Sequence, residues 1–344
     1  MTRFIAYFVL FISWNLLSNV IVGYHLTDSV RPDGSNFDRR SVLTTAASVL
    51  ATSSSLAPTS VNAEDVSTGL VGGPRVPLQG AKNGFPLASF GLQIYDDDTA
   101  YRLTLVALEV GYRNFFASVL AGNQKGFARA IKASGIPRDE IFICGTVLSN
   151  RAKGQDAAYA KTKQGCRENM STMSLGNIDT LDQIMLDYPG PDVESVRGQW
   201  KAFEEMKEEG LVDTLAVSNF SAKQLDAILS MGGKVTKPAV NQLPFSIAYH
   251  PAGILDYNKQ RGVLVQSWSP LSRVLTNPTY RPVLASIGNS YGKSPAQVGL
   301  RYIIQSGASF CTQSKSKKHF EEDLNVFDFK LTSSEMATLS GLAG

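Results

Sequence analysis

The chain has 344 residues, 43% of them hydrophobic, and a net charge of +3, which describes an ordinary globular protein. This mild charge, without a dense Lys/Arg run, excludes a nucleic-acid-binding surface. The three cysteines lack metal-ligand spacing, and their odd number excludes a complete disulfide framework. The three histidines are scattered, so the sequence predicts no metal site.

The sequence of the N-terminal region indicates two successive targeting segments. Arg3, followed by an apolar run, fits a secretory signal, with a membrane anchor as the alternative. Arg39 and Arg40 then precede a weakly apolar stretch that ends in Val61–Ala63, a small-residue cleavage site. This second segment resembles a twin-arginine export signal. The alternative is a Ser/Thr-rich transit peptide in which the two adjacent arginines occur by chance.

The two segments together resemble the layered presequences of plastid proteins in algae whose plastids derive from a eukaryotic endosymbiont. That resemblance implies a destination in the thylakoid lumen, with secretion or another exported compartment as the alternative. We therefore interpret residues 1–63 as a presequence of signal peptide, transit region and twin-arginine signal, and residues 64–84 as a linker. The folded domain is expected over residues 85–344, with no membrane span in the mature chain.

After residue 80, short apolar runs alternate with longer amphipathic ones. Each run is bounded by turn residues, as buried parallel strands are. The pattern predicts strands over residues 86–93, 114–117, 141–145, 183–186, 214–217, 239–243, 263–267 and 309–312. Helical periodicity predicts helices over residues 100–110, 200–209, 225–231 and 295–304. This alternation predicts an α/β fold, a single-domain (β/α)8 TIM barrel, with its site at the carboxyl ends of the strands.

Several segments at the predicted strand ends carry short motifs. Gly111–Asn123 begins with Gly-Tyr-Arg, Val217–Phe220 contains Ser-Asn-Phe, and Ser267–Leu271 ends in Ser-Pro-Leu. Together with Pro238–Gln242 and Asn325–Thr332, these segments resemble the aldo-keto reductases, in the family's order over residues 85–340. In that family, Gly-Tyr-Arg leads to a catalytic Asp and then a catalytic Tyr, and the other four segments match the fifth strand end, the sixth strand, the turn after the seventh strand and the closing segment.

The resemblance implies carbonyl reduction, in which a Tyr general acid is tuned by a Lys and an Asp, a His orients the substrate and NADPH supplies hydride. Here the Asp, Tyr, Lys and His positions hold Phe116, Ala121, Thr146 and Asp187. Only Asp187 is ionisable. Burial beside Phe116 would raise its pKa and make it a candidate substitute acid, whereas a solvated Asp187 would have no catalytic role. Tyr188 is expected to line the wall or pack in the core.

Eight residues match the family's positions for a nicotinamide cofactor. Four match the positions that bind the nicotinamide ring and its carboxamide: Ser218, Asn219, Gln242 and Trp268. Four match positions nearer the phosphates and the adenosine: Ser269, Leu271, Ser314 and Glu322. The alternative interpretation is that these polar residues only satisfy backbone groups at the strand ends.

The adenosine end departs from the family pattern at three positions. Gln313 replaces a Lys that approaches the 2′-phosphate, His319 replaces an Arg, and Asp323 replaces an Asn. Three nearby lysines are candidates to restore the lost charge: Lys315, Lys317 and Lys318. Because the bidentate Arg contact is lost, we expect NADP(H) to bind with a weakened preference over NAD(H).

These residues favour a barrel that binds NADP(H) but lacks the standard carbonyl-reduction groups. One alternative is an active oxidoreductase that acts on a reactive carbonyl or a quinone-like substrate through a substitute acid. Another is a cofactor-free scaffold, or a sensor that signals to a protein partner. The substrate would in each enzymatic case be an unidentified small molecule.

The first testable prediction concerns the site at which the presequence is removed. We expect the mature chain to begin near Glu64, because the small-residue motif ends at Ala63. N-terminal sequencing of the native protein checks this. Native protein that still carried residues 1–40 would contradict it.

Overall fold

A closed barrel of eight parallel strands forms the centre of the computed structural model, which describes residues 71–343. The barrel confirms the predicted fold class and all eight predicted strands. The presequence and the first residues of the predicted linker lie outside the described residues. The barrel strands are β3 (Ala88–Gly91), β4 (Asn114–Phe116), β5 (Phe142–Val147), β6 (Leu181–Asp187), β7 (Val212–Ser218), β8 (Val240–Pro244), β9 (Leu264–Trp268) and β10 (Ser309–Thr312).

Two strand pairings close this barrel at its seam. In one, β10 pairs in parallel with β3 and places Phe310 opposite Ala88; in the other, β10 pairs with β9 and places Phe310 opposite Ser267. Each strand is buried along most of its length, because helices cover its outer face and side chains fill the interior.

Helices follow the strands around the barrel. They are α1 (Asp97–Val110), α2 (Gln124–Ser134), α3 (Gln155–Met173), α4 (Val193–Glu208), α5 (Ala222–Leu229), α6 (Ile254–Lys259), α7 (Tyr280–Asn289), α8 (Pro295–Gln305), α9 (Lys317–Leu324) and α10 (Ser333–Ser340). The four predicted helices correspond to α1, α4, α5 and α8. No helix of residues 71–343 is long and apolar enough to cross a membrane.

A two-stranded hairpin lies at the amino-terminal end of the barrel. Its strands, β1 (Arg75–Val76) and β2 (Phe85–Pro86), pair antiparallel just before β3. Arg75 donates from its guanidinium to the carbonyl oxygen of Glu140 at 3.0 Å, just ahead of β5. The first strand of the hairpin lies in the range that the sequence assigns to a linker. Because the hairpin occupies the amino-terminal end, the carboxyl ends of the strands stay open.

The Gly-Tyr-Arg segment builds the frame of the barrel. Gly111 ends α1 at φ +120°, a backbone conformation that favours glycine, and its N–H bonds the carbonyl oxygen of Ala107 at 3.1 Å. Tyr112 is fully buried, and its ring packs against Phe90 and Phe320. This part of the segment therefore has a structural role that is independent of any catalytic residue after it.

Candidate functional site

The loops that follow β3 and β4 are tied together at the rim of the barrel. The side-chain amide of Asn123 donates to the backbone carbonyl oxygens of Leu92 and of Tyr95, the latter at 2.8 Å. Asn123 is fully buried, so these bonds fix the turn between β4 and α2. Ala121 lies in that turn.

Apolar side chains occupy the first two positions where the family resemblance places catalytic groups. Phe116 is the last residue of β4 and is 2% exposed. Ala121 is half-buried in the following turn. Neither side chain carries a proton donor, so this side of the rim offers packing surface only.

Thr146, at the third position, is engaged in the backbone of the neighbouring loop. It lies on β5, is fully buried, and accepts a hydrogen bond from the backbone N–H of Val119 at 2.9 Å. Its hydroxyl donates to the carbonyl oxygen of Ala117 at 3.3 Å. The hydroxyl is thus satisfied by residues that follow β4, and it stabilises the turn that contains Ala121.

Asp187, at the fourth position, is a buried carboxyl group. It ends β6, is 8% exposed, and lies opposite Ser218 in the register of β6 and β7. Burial raises its pKa from 3.8 to about 6, and a hydrogen bond with Ser218 opposes that rise. The solvated alternative for Asp187 therefore does not match its environment.

A relay of hydrogen bonds ends on Asp187. The indole N–H of Trp268 donates to the amide oxygen of Asn219 at 3.1 Å, and the Asn219 amide N–H donates to the Ser218 hydroxyl oxygen at 2.9 Å. The Ser218 hydroxyl is hydrogen-bonded to Asp187 in turn. These contacts join the carboxyl ends of β6, β7 and β9. Both polar atoms of the Asn219 amide are therefore engaged within the protein.

Gln242 is the remaining predicted ring-binding residue. Its amide N–H donates to the amide oxygen of Gln266 at 2.8 Å, between β8 and β9. The structure thus brings the four predicted ring-binding residues to neighbouring strand ends, where all four bond other side chains of the protein.

The backbone is strained where three strands end. Tyr188, Asn219 and Ser269 have φ angles of 75°, 64° and 48°, a backbone region that residues other than glycine rarely adopt. They directly follow β6, β7 and β9. Such strain concentrates at functional sites, where the surrounding structure fixes it. Tyr188 itself is half-buried, as the sequence predicts, and burial raises the pKa of its phenol.

A cavity of about 600 Å³ opens beside this rim, in the volume range typical of ligand pockets. All four residues predicted at the phosphate and adenosine end line it: Ser269, Leu271, Ser314 and Glu322. The three substituted positions line it as well: Gln313, His319 and Asp323. None of the four ring-binding residues does.

Asp323 is buried in the wall of this cavity. It is 5% exposed, and the phenol of Tyr112 donates to its carboxylate at 3.4 Å. Burial raises the pKa of Asp323 from 3.8 to about 7, although hydrogen bonds from Thr312 and Tyr112 oppose the rise and Glu322 adds to it. A titratable group near neutrality thus stands where the resemblance gives an amide.

Two of the three lysines that are candidates to restore the lost charge are paired with glutamates. Lys317 pairs with Glu109 at 2.6 Å, and Lys318 pairs with Glu322 at 3.7 Å. Neither lysine lines the cavity, and neither does Lys315. All three lysines are exposed and lie at the start of α9 or just before it.

The sequence interpretation missed Arg281, a cation that does line the cavity. It lies in the first turn of α7, a helix that the sequence did not predict. No motif marks this position, so only the packing of α7 beside the loop after β9 reveals it. Within residues 71–343, no group of three or more His, Cys, Asp or Glu side chains is arranged to hold a metal ion.

The closed parallel barrel, with a cavity at its carboxyl rim, places the chain in the (β/α)8 fold class. The Aldo/keto reductase family model matches residues 84–343, so the chain belongs to the aldo/keto reductase family. Members of this family generally use NADP(H).

Curated relatives and solved structures agree with this assignment. An aldo-keto reductase of Mycolicibacterium smegmatis is 30% identical over 262 residues, which cover 76% of this chain and 88% of the relative. One of Mycolicibacterium vanbaalenii is 30% identical over 262 residues, with 76% and 89% covered. A crystal structure of an aldo/keto reductase from Brucella melitensis aligns with a TM-score of 0.69 at 26% identity, over 78% of this chain and 99% of that one.

The environment of Asp323 predicts a pH-dependent effect of its replacement by Asn. Because folding raises its pKa, its contribution to stability is complete below pH 3.8 and is lost as the pH rises through about 7. Asp323→Asn should therefore raise the free energy of unfolding, and the gain should grow by roughly 2 kcal/mol between pH 5.5 and pH 8. Urea unfolding at both pH values measures it.

Asp179→Asn is the matched control, because Asp179 is exposed. It should leave the free energy of unfolding nearly unchanged at both pH values. A gain for Asp323→Asn that was independent of pH would contradict the assignment.

Proposed function

We propose that this protein binds NADP(H) and has lost the carbonyl reduction that its family standardly performs. The observation that carries the proposal is the chemistry of the four rim positions, Phe116, Ala121, Thr146 and Asp187. Reduction of a carbonyl builds an alkoxide, which requires a positioned proton donor. The Tyr position holds an alanine, and the Lys position holds a hydroxyl that is already bonded to backbone groups.

The missing acid has a kinetic cost. A positioned general acid contributes typically about 10²- to 10⁴-fold to the rate. A threonine hydroxyl is far too weak an acid to replace a tuned phenol. An ordinary aldehyde or ketone is therefore expected to react no faster than background in this site.

The cavity supports the cofactor part of the proposal. Its volume of about 600 Å³ and its lining at the phosphate and adenosine positions suit a nucleotide. Ser269 and Leu271 line the cavity from the loop after β9, Ser314 from the segment after β10, and Glu322 from α9. At the ring end, Asn219 and Gln242 bond other side chains, and each amide keeps one further N–H beyond those bonds. When bound, the cofactor would supply a hydride.

Cofactor binding has a direct test. Titration of the full-length chain into NADPH should quench or shift the nicotinamide fluorescence, because the ring moves from water to the rim beside Trp268. The urea-unfolded chain is the control and should give no change. Absence of any response up to millimolar NADPH would refute binding and favour the cofactor-free scaffold.

A second candidate function rests on Asp187. Its carboxyl group is buried, has a pKa of about 6, and receives the hydrogen-bond relay from Trp268 through Asn219 and Ser218. A carboxylic acid that titrates near neutrality is a usable proton donor. This favours an oxidoreductase for a reactive carbonyl or a quinone-like substrate, which needs less acid assistance than an ordinary carbonyl.

Turnover assays separate these two functions. We expect no reduction of standard aldehydes with NADPH. If a 1,2-dicarbonyl or a quinone is reduced, the rate should fall as the pH rises through about 6, because the protonated acid is the active form. Asp187→Asn should then lower kcat at least about tenfold, whereas Tyr188→Phe should retain it. Turnover unchanged by Asp187→Asn would remove Asp187 from the mechanism.

The compartment is part of the same proposal. The two targeting segments of residues 1–63 support delivery to a plastid and, through the Arg39-Arg40 signal, to the thylakoid lumen. A protein partner there would be required only if cofactor occupancy acts as a signal rather than as a step in turnover.

A further inference from the structure

Asp323 is a carboxyl group in the wall of the cavity that no cation neutralises. It lies on α9, lines the cavity and is 5% exposed. Within residues 71–343 it takes part in no ion pair, and Lys318 on the same helix pairs with Glu322 instead. An ionised Asp323 therefore places an uncompensated negative charge beside whatever occupies the cavity.

Two hydroxyl groups of the barrel frame hold this carboxyl in place. The phenol of Tyr112 donates to it at 3.4 Å, and the hydroxyl of Thr312 bonds it as well. The two hydroxyl oxygens are themselves 3.2 Å apart. Tyr112 is fully buried and Thr312 belongs to β10, so the position of the carboxyl is fixed in the wall. Hydroxyls both donate and accept, so they can satisfy the neutral form of the carboxyl as well as the ionised form.

The other titratable groups around Asp323 come from the barrel frame and from α9 itself. Burial raises the pKa of the Tyr112 phenol well above 10 and that of the Cys311 thiol to about 12, so both stay neutral between pH 6 and pH 8. Glu322 is half-buried and adds negative charge beside Asp323. His319 also lines the cavity, but its imidazole is exposed to solvent.

The helices packed against α9 contribute charges that are already engaged elsewhere. Glu109 on α1 pairs with Lys317 at 2.6 Å, and Arg301 on α8 donates to a backbone carbonyl oxygen at 3.2 Å. Arg281 lines the cavity from α7 and forms no ion pair with Asp323. Only protonation of the carboxyl itself can therefore remove the charge of Asp323 from the wall.

An anionic ligand and an ionised carboxyl oppose each other in such a cavity. The proposed cofactor carries several negative charges on its phosphate groups, and a nearby like charge disfavours the ionised form of a carboxyl. Burial has already raised the pKa of Asp323 to about 7, so the carboxyl is close to half-ionised at neutral pH before any ligand binds. Each further rise of about one pH unit corresponds to a roughly tenfold preference of the ligand for the neutral form.

We propose that Asp323 couples ligand binding in this cavity to the uptake of a proton from solvent, so that an anionic dinucleotide binds the protein whose Asp323 carboxyl is neutral. The proposal rests on the proposed function, since it describes how binding at the same site is regulated. The resemblance gives an asparagine at this position, and an amide does not titrate. The coupling therefore belongs to this chain's own residue, and affinity for NADPH falls as the pH rises through neutrality.

Dissociation constants for NADPH at pH 6 and pH 8 test the coupling in the full-length chain and in Asp323→Asn. If the ligand raises the pKa by about one pH unit, Asp323→Asn should bind NADPH about fivefold more tightly than the unsubstituted chain at pH 8, and the two should agree at pH 6. The comparison uses one ligand at each pH, so titration of the ligand's own phosphate cancels. Asp179→Asn, at an exposed position outside the cavity, is the matched control and should bind as the unsubstituted chain does.

Calorimetry counts the proton directly. NADPH is titrated at pH 7.5 in two buffers that differ in ionisation enthalpy, and the difference in measured heat gives the number of protons taken up. The unsubstituted chain should take up about half a proton more than Asp323→Asn does. Because imidazoles titrate in the same pH range, His319→Gln is measured in parallel and should retain the uptake.

Three outcomes would overturn the coupling and leave the proposed function intact. In the first, Asp323→Asn and the unsubstituted chain bind NADPH equally at pH 8 and take up the same number of protons. In the second, His319→Gln loses the uptake and Asp323→Asn keeps it, which assigns the proton to the imidazole. In the third, Asp323→Asn binds more weakly at both pH values, which means that the carboxyl attracts the ligand. Absence of NADPH binding at either pH would overturn both the coupling and the proposed function.

Discussion

The hydrogen bonds between β10 and β3 close the barrel. The predicted catalytic and ring-binding positions lie on β4 to β9 or in the loops that follow them, whereas the cavity is lined by residues within 269–323. Closure brings every carboxyl end to one rim. The bond between the Tyr112 phenol and Asp323, 211 residues apart, spans the same seam and ties the frame of the barrel to the wall of the cavity.

The eight strands could be predicted because buried parallel strands are short apolar runs, and each was bounded by turn residues. Helices were harder to predict. The long helix α3 has a polar exposed face and few large apolar residues, so its periodicity is weak, and it forms because it packs against α4. The position of Arg281 follows from the placement of α7, which no local pattern specified.

The site residues show the same distinction between features that the local sequence specifies and features that depend on packing. The identity of Phe116, Ala121, Thr146 and Asp187 could be read from the sequence through the family resemblance, but their environments could not. The burial of Asp187 and its bond to Ser218 depend on the pairing of β6 with β7. Likewise, the bond from Trp268 to Asn219 joins residues 49 positions apart. Long-range pairing, rather than residue type, decides which of these polar groups remain available to a ligand.

The bond between Trp268 and Asn219 also has a consequence for a more distant strand. It spans β8, because β7 and β9 each pair with β8 and not with each other. Asn219 in turn bonds the Ser218 hydroxyl, which bonds Asp187. A substitution of Trp268 would therefore change the surroundings of a carboxyl group on β6, a strand that is not its neighbour in the barrel.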